Sequence, residues 1–134
     1  MEEFTLENDI LVFCLTAKSF AEGVVEAHDK LYALVPYSHK RKYFGLSRPE
    51  NGIIVYKAAA EEMETGEFRK YGLEEFTIKR GKYMCITVKD FIQNVPAIGK
   101  AFEKLIALPG IDPEGYCVEW YLLDKDVKCM VRLK

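Results

Sequence analysis

The feature that most limits what this 134-residue chain can fold into is a repeat of part of itself. Cys14-Leu15-Thr16-Ala17-Lys18-Ser19-Phe20 matches Cys85-Ile86-Thr87-Val88-Lys89-Asp90-Phe91 at an offset of 71. Ala27-His28-Asp29-Lys30-Leu31-Tyr32-Ala33-Leu34 matches Ala101-Phe102-Glu103-Lys104-Leu105-Ile106-Ala107-Leu108 at an offset of 74. The three extra residues fall between the blocks, around Asn94-Val95-Pro96. A period of this length is too long for a solenoid and suits two copies of a supersecondary unit.

Each copy is readable. Ile10 to Leu15 is a continuous apolar run, as a buried strand requires. Ser19 followed by Glu22 has capping-box spacing and predicts a helix start. Val25, His28, Leu31, Tyr32 and Val35 fall on one helical face, and Pro36 ends the helix. Tyr43 to Leu46 predicts a short strand, Glu50-Asn51-Gly52 a turn, and Ile53 to Ala58 a further strand. In the second copy, Lys82 to Val88 is the strand and Pro96 suits a first helical turn. Ile98, Ala101, Phe102, Leu105 and Ile106 form that helix's apolar stripe, and Pro109-Gly110 stops it. A strand around Glu119, a turn at Asp124-Lys125-Asp126 and a strand from Val127 to Leu133 follow. Between the copies, Glu61 to Arg69 is polar, and Glu75 to Ile78 alternates like an edge strand before the turn Lys79-Arg80-Gly81.

The expectation is one α+β domain over 1–134, with internal repeats at about 9–60 and 82–133. It consists of duplicated strand-helix-strand-strand units with pseudo-two-fold symmetry. Two helices pack on one face of an antiparallel sheet, and a ligand site lies near the pseudo-axis.

The strand Tyr116-Cys117-Val118-Glu119-Trp120-Tyr121-Leu122-Leu123 concentrates the chemistry. Alternation puts Cys117, Glu119, Tyr121 and Leu123 on one side and Tyr116, Val118, Trp120 and Leu122 on the other. Neither side is polar, so the strand reads as covered on both faces and Glu119 as poorly hydrated. A buried carboxylate neutralises, pairs with a cation, or meets a cationic or donor-rich ligand. Two readings stay open at this point: a carboxylate paired or exposed at an edge, and a carboxylate at the floor of an aromatic pocket. Tyr37, Tyr43, Phe44, Tyr56, Trp120 and Tyr121 are the candidate walls, with Trp120 facing away from Glu119 in a regular strand.

Composition narrows the function classes. A net charge of −2 argues against nucleic acid as a partner, because phosphate binding needs a basic face. No apolar run approaches the ~18 residues that span a bilayer, and Met1-Glu2-Glu3 is unlike a signal peptide. Cys14, Cys85, Cys117 and Cys129 lie in apolar runs without metal-ligand spacing, so they read as reduced core residues of a cytoplasmic protein. His28 and His39 are too few and scattered for a metal site; His28 reads as a hydrogen-bonded core histidine. His39-Lys40-Arg41-Lys42 reads as a solvated basic loop and Glu61-Glu62-Met63-Glu64 as a solvated linker. No hydrolase serine motif or phosphate loop is present, and neither metal nor cofactor is expected.

The duplicated unit, Ile78-Lys79-Arg80-Gly81-Lys82-Tyr83 leading its second copy, and Val118-Glu119-Trp120-Tyr121 near the end resemble the GyrI-like small-molecule-binding domain. This is the effector-binding domain of AraC- and MerR-type bacterial transcription regulators, and the likeness spans roughly residues 9 to 133. It implies that Glu119 lies at the base of an aromatic pocket and meets lipophilic, cationic compounds. No helix-turn-helix segment precedes the domain, so the expectation is an effector-sensing or drug-sequestering module with a small-molecule ligand. The resemblance also implies two alternatives. One is a small hydrolase of strained, cyclopropane-type toxins, with Glu119 acting on a water and Tyr121 or Tyr43 donating to the leaving oxygen. The other is a gyrase-inhibitor-like module that binds a protein partner, and a homodimer stays open beside it.

Overall fold

The computed structural model describes residues 1–122 and 125–134; the expectations that fall on Leu123 and Asp124 lie outside them. Eight strands and two α-helices follow one another as β1 (Glu2–Leu6), β2 (Ile10–Thr16), α1 (Val24–Leu34), β3 (Tyr43–Glu50), β4 (Ile53–Glu61), β5 (Glu74–Ile78), β6 (Gly81–Val88), α2 (Pro96–Ile106), β7 (Cys117–Tyr121) and β8 (Val127–Arg132). All ladders are antiparallel, and the strands form one curled sheet in the order β1-β6-β8-β7-β3-β4-β2-β5. The protein is therefore α+β, and β5 is an edge strand.

Period-two alternation sorts the strands' side chains onto two faces. One face curls on itself and closes without a helix: Leu6, Val12, Cys14, Phe44, Leu46, Ala59, Ile78, Cys85, Val118 and Met130 pack together there. Their neighbours in sequence face the helices. Phe13, Tyr43, Ala58 and Ala60 meet Ala27 and Leu31 of α1, while Val88, Val127, Cys129 and Val131 meet Ala101 and Leu105 of α2. Leu31 and Leu105 are fully buried. Truncating such a leucine to alanine costs about 2–5 kcal/mol, so each helix is held by its own anchor.

Local chemistry explains most boundaries. The β3–β4 hairpin turns on Asn51 and Gly52, with φ of +53° and +80°, the two left-handed positions a tight hairpin turn demands. Pro96 opens α2 as its first-turn residue. The first helix differs from expectation. The Ser19–Glu22 pair does not cap it, because the chain makes a separate turn there, with the Gly23 N–H donating to the Ser19 carbonyl at 3.1 Å. Gly23 is the residue that precedes the helix, so its stripe is displaced and Val25 is 70% exposed, while Ala27 and Leu31 carry the contact. In α2, Ile106 is likewise exposed, because Ala101 and Leu105 already fill the interface with the sheet.

Two polar segments are more structural than their composition suggests. Arg41 does not wave in solvent: it pairs with Glu67 at 2.7 Å, donates to the Glu61 carbonyl at 2.6 Å and lies over the Phe68 ring. Glu61 closes β4 and accepts the Lys42 N–H at 3.2 Å. Together these bonds seal the far end of β4. All four cysteines are free thiols, with Cys14, Cys85 and Cys129 buried and Cys117 half-buried. Among the described residues, no helix is long and apolar enough to cross a membrane.

Candidate functional site at the seam between the helices

The two helices do not cover the sheet evenly. Helix α1 packs on β2 and β4, and α2 on β6 and β8. The central strands β3 and β7 run between them and form the floor of a seam. Tyr121 packs in both the α1 cluster and the α2 cluster, so it marks that seam from below.

At its centre Gly45 of β3 sits directly opposite Glu119 of β7, with Tyr43 opposite Tyr121 and Ser47 opposite Cys117. Glu119 is 9% exposed, and it is the buried charged side chain of the described residues. No ion pair among the described residues involves it. Its partner is a phenol: the Tyr121 hydroxyl donates to Glu119 Oε1 at 2.6 Å.

That bond begins a chain. Tyr56 Oη lies 2.9 Å from Tyr121 Oη, and His28 Nε2 lies 2.8 Å from Tyr56 Oη. A phenol has one hydrogen, so the sense of each link follows from the last. With Glu119 ionised, Tyr121 spends its hydrogen on the carboxylate, Tyr56 then donates to Tyr121, and His28 donates from Nε2 to Tyr56. Every hydrogen points toward an ionised Glu119.

The geometry depends on a missing side chain. A Cβ at position 45 would stand 2.1 Å from Tyr56 Oη, 2.7 Å from its Cζ and 3.1 Å from Tyr121 Oη. Gly45 therefore leaves the volume in which the two phenols meet.

Burial dominates the electrostatics. It pushes the Glu119 carboxyl up, and the tyrosine hydroxyls only partly offset this. It pushes the Tyr56 and Tyr121 phenols up as well, helped by the nearby Glu119 charge, so both stay protonated. It pushes His28 down to about 4, so the imidazole is neutral at physiological pH.

Aromatic rings extend the site on both sides. The His28 ring is 5.4 Å from Tyr121, edge to face, and Phe91 is 5.5 Å from Tyr121 on the other flank. Phe20 lies 6.0 Å from Tyr56. Toward the end of α1, Tyr32 meets Tyr43 at 5.3 Å, and Tyr37 stacks on Tyr43 at 5.1 Å.

The structure thus sorts the residues singled out in the sequence. Glu119, Tyr121 and Tyr56 come together in one hydrogen-bonded group. Tyr43 shares their face but points its hydroxyl at the Ser38 N–H, 3.0 Å away, and Tyr37 is a half-exposed ring stacked above it. Phe44 and Trp120 are not in the group. They pack against each other at 5.5 Å on the opposite face, Phe44 within the closed core of the curled sheet and Trp120 partly buried against it. Sequence reasoning missed Gly45, Phe20 and Phe91, and it placed His28 in the core without a part in the site. The signal for His28 was its place on the same helical stripe as Tyr32, directed at the sheet.

Among the described residues, open recesses lie elsewhere, two of them lined without Glu119. One, of about 280 Å³, lies between β5 and the loop before β7, lined by Arg48, Phe76, Tyr116 and Arg132 among others. The other, of about 430 Å³, lies between α2 and β6, beside Lys89 and Lys100.

No family model matches the chain, and no curated protein matches it. Among solved structures it is similar to the crystal structure of an integron cassette protein from the mobile metagenome of Vibrio cholerae. The TM-score is 0.74 at 14% identity, over 99% of this chain and 95% of that one. At that identity the likeness is one of fold, and it extends over both chains almost end to end.

Proposed function

We propose that the chain is a GyrI-like small-molecule-binding domain that takes lipophilic cations in the seam between α1 and α2, with Glu119 as the counter-charge. The observation that carries this reading is the unpaired, poorly hydrated carboxylate at the floor of a seam built from aromatic rings. A cation over such rings gains ~0.5–2 kcal/mol per ring, and exclusion of water strengthens its attraction to the carboxylate. A ligand enters by displacing side chains at the top of the seam; the half-exposed ring of Phe20 beside Tyr56 is the first candidate. The module senses or sequesters its ligand.

The same proposal includes the duplicated fold. Exchanging β1 with β5, β2 with β6, β3 with β7 and β4 with β8 reverses the sheet order into itself. The ladders agree in register: the pair Val12–Glu61 recurs 71 residues later as Tyr83–Arg132. Gly45 and Glu119, which face each other, are 74 residues apart, the same offset as the helices. A third sequence match supports it, since Glu2-Glu3-Phe4-Thr5-Leu6 reappears as Glu74-Glu75-Phe76-Thr77-Ile78. In this reading the pseudo-axis passes between Gly45 and Glu119, so the two halves build one site rather than two.

A thermal-shift series with two ions of one shape and opposite charge tests the binding reading. Tetraphenylphosphonium and tetraphenylborate differ mainly in charge, and triphenylphosphine oxide is a neutral relative with one ring fewer. The cation is expected to raise the melting temperature and the anion to leave it unmoved, because melting shifts follow binding to the folded state. Equal shifts from cation and anion would remove Glu119's charge from the account.

A second reading, hydrolysis of a strained, cyclopropane-type electrophile, draws on the 2.6 Å contact between the raised Glu119 carboxyl and the Tyr121 phenol. A carboxyl whose pKa is brought toward neutrality beside a hydrogen-bond donor is the pairing that general acid–base chemistry needs. Turnover of such a compound, abolished in Glu119→Gln, distinguishes it from binding alone.

A further inference from the structure

We propose that Tyr121, Tyr56 and His28 form a proton relay that carries the charge state of buried Glu119 to the α1 side of the seam. The inference starts from hydrogen counting, and only its ligand arm rests on the binding reading above.

The three links span 2.6, 2.9 and 2.8 Å, each within hydrogen-bond distance. With Glu119 ionised, the single hydrogens run His28 Nε2–H to Tyr56, Tyr56 to Tyr121, and Tyr121 to Glu119. With Glu119 protonated at Oε1, the oxygen that faces Tyr121 Oη, its hydrogen is directed at that phenol and the order inverts. Tyr121 then donates to Tyr56, Tyr56 donates to His28 Nε2, and the imidazole carries its hydrogen on Nδ1. The carboxyl and the imidazole tautomer are two ends of one chain.

The transfer balances. A protonated Glu119 gives its proton to Tyr121 Oη, as Tyr121's passes to Tyr56 Oη and Tyr56's to His28 Nε2. The Nδ1 proton leaves to water. Four bonds to hydrogen break and four form, the carboxylate is left negative, and no electrons are exchanged. His28 Nδ1 has no protein partner among the described residues, and it is not among the side-chain atoms sealed from solvent without one. It is the outlet.

The surroundings keep the chain undisturbed. Around Glu119, β7 contributes Cys117 and β8 contributes Cys129; burial pushes these thiols to about 11 and 12, so both are neutral. From β4 and β7 come the two protonated phenols, and from β3 comes Gly45, which has no side chain. On α1, Asp29 is the charged neighbour of His28, and Tyr32 is a phenol pushed up by burial. Helix α2 brings no charge that acts on Glu119; its Lys100 and Lys104 line the outer recess beside β6. A neutral His28 is what a relay needs, since an imidazolium donates from both nitrogens and would lock the chain in one sense.

The consequence is proton-coupled binding. A lipophilic cation that covers Glu119 favours the carboxylate, and the displaced proton leaves through His28 even though the ligand closes the mouth of the seam.

The test is ligand-free at its core. In 15N- and 13C-labelled protein, His28 Nε2 is expected to change from acceptor to protonated nitrogen as pH rises, with the midpoint shown by the Glu119 carboxyl carbon. In Tyr56→Phe, which removes the middle hydroxyl but keeps the ring, the two are expected to part, with the His28 tautomer ignoring the Glu119 titration. A His28 fixed in one tautomer while Glu119 titrates in the wild-type chain would overturn the relay. Added tetraphenylphosphonium, below the Glu119 midpoint, is expected to convert His28 to the Nε2–H form. Binding without that conversion overturns the relay. A tautomer switch without any binding leaves the relay standing and removes the binding reading.

Discussion

Replacing Gly45 with alanine is the sharpest mechanical test of the site. The added Cβ would stand 2.1 Å from the Tyr56 hydroxyl oxygen and 2.7 Å from its ring carbon, against a normal contact of about 3.5 Å. The ring cannot step aside freely, because Tyr56 is 2% exposed and carries bonds to both Tyr121 and His28. Forcing an extra methyl into a packed core costs about 1–3 kcal/mol, and losing one buried hydrogen bond adds about 1 kcal/mol. For a chain of this size roughly 4 °C of melting temperature accompanies each kcal/mol, so a fall of about 8–16 °C is expected by calorimetry. The control is Gly99→Ala in α2, where the new Cβ meets nothing within 4 Å. Relief of backbone entropy should raise stability there by about 0.5–1 kcal/mol. If Gly45→Ala melted with the wild type, the phenols would not occupy the space over Gly45, and the hydrogen-bonded group would be refuted.

Further expectations concern ionisation. Glu119 has its folded pKa raised by burial above its ordinary value near 4.5, so folding favours its protonated form. Wild-type stability should therefore fall relative to Glu119→Gln as pH rises from about 4.5 through the raised folded value, at a relative slope of up to about 1.36 kcal/mol for each pH unit, while His28, pushed down from 6.5 to about 4 by burial, adds stability to both proteins as pH rises over that range. Urea titrations at stepped pH would show the difference, and parallel curves would contradict it. Glu67 has the opposite sign: Arg41's hydrogen bond holds it down to about 2, so its contribution is present above its ordinary range and lost as pH falls toward 2. Arg41→Met should weaken that acid-side dependence, leaving the part that the Met63 and Glu64 N–H groups supply. A thiol reagent should find Cys14, Cys85 and Cys129 unreactive in the native chain and all four cysteines reactive in denaturant, because burial raises those thiols to about 12, 11 and 12. Rapid native reaction of two or more would contradict the packing.

Much of the architecture is legible in the sequence, and particular residues show where reading stops. Seven of the eight strands, both helices, the Asn51–Gly52 turn and the α2 start at Pro96 follow from apolar runs, turn residues and proline, while β1, whose Glu2-Glu3-Phe4-Thr5-Leu6 has no apolar run, does not. Glu119 stands out because a carboxylate interrupts a two-faced apolar strand. What the sequence does not display is which strands become neighbours. Gly45 and Glu119 are far apart along the chain, and only the β3–β7 ladder makes the glycine a cavity for Tyr56. The face of each aromatic is likewise a matter of register. Tyr43 and Phe44 are consecutive, so a strand sends them to opposite sides, and Phe44 and Trp120 fall on the closed-core face for that reason. His28 is visible as a polar residue in an apolar stripe, yet its partner comes from β4, which no local pattern identifies. The Ser19–Glu22 spacing misleads because an independent turn at Gly23 precedes the helix.

The claim on which the function depends is that Glu119 meets a positive charge inside the seam. Calorimetric titration of tetraphenylphosphonium into the wild-type chain and Glu119→Gln, above the Glu119 midpoint, measures that directly. The account predicts binding to the wild-type chain and a loss of roughly ten-fold or more in the variant, about 1.4 kcal/mol, with its fold retained. Equal affinity for both proteins would contradict it.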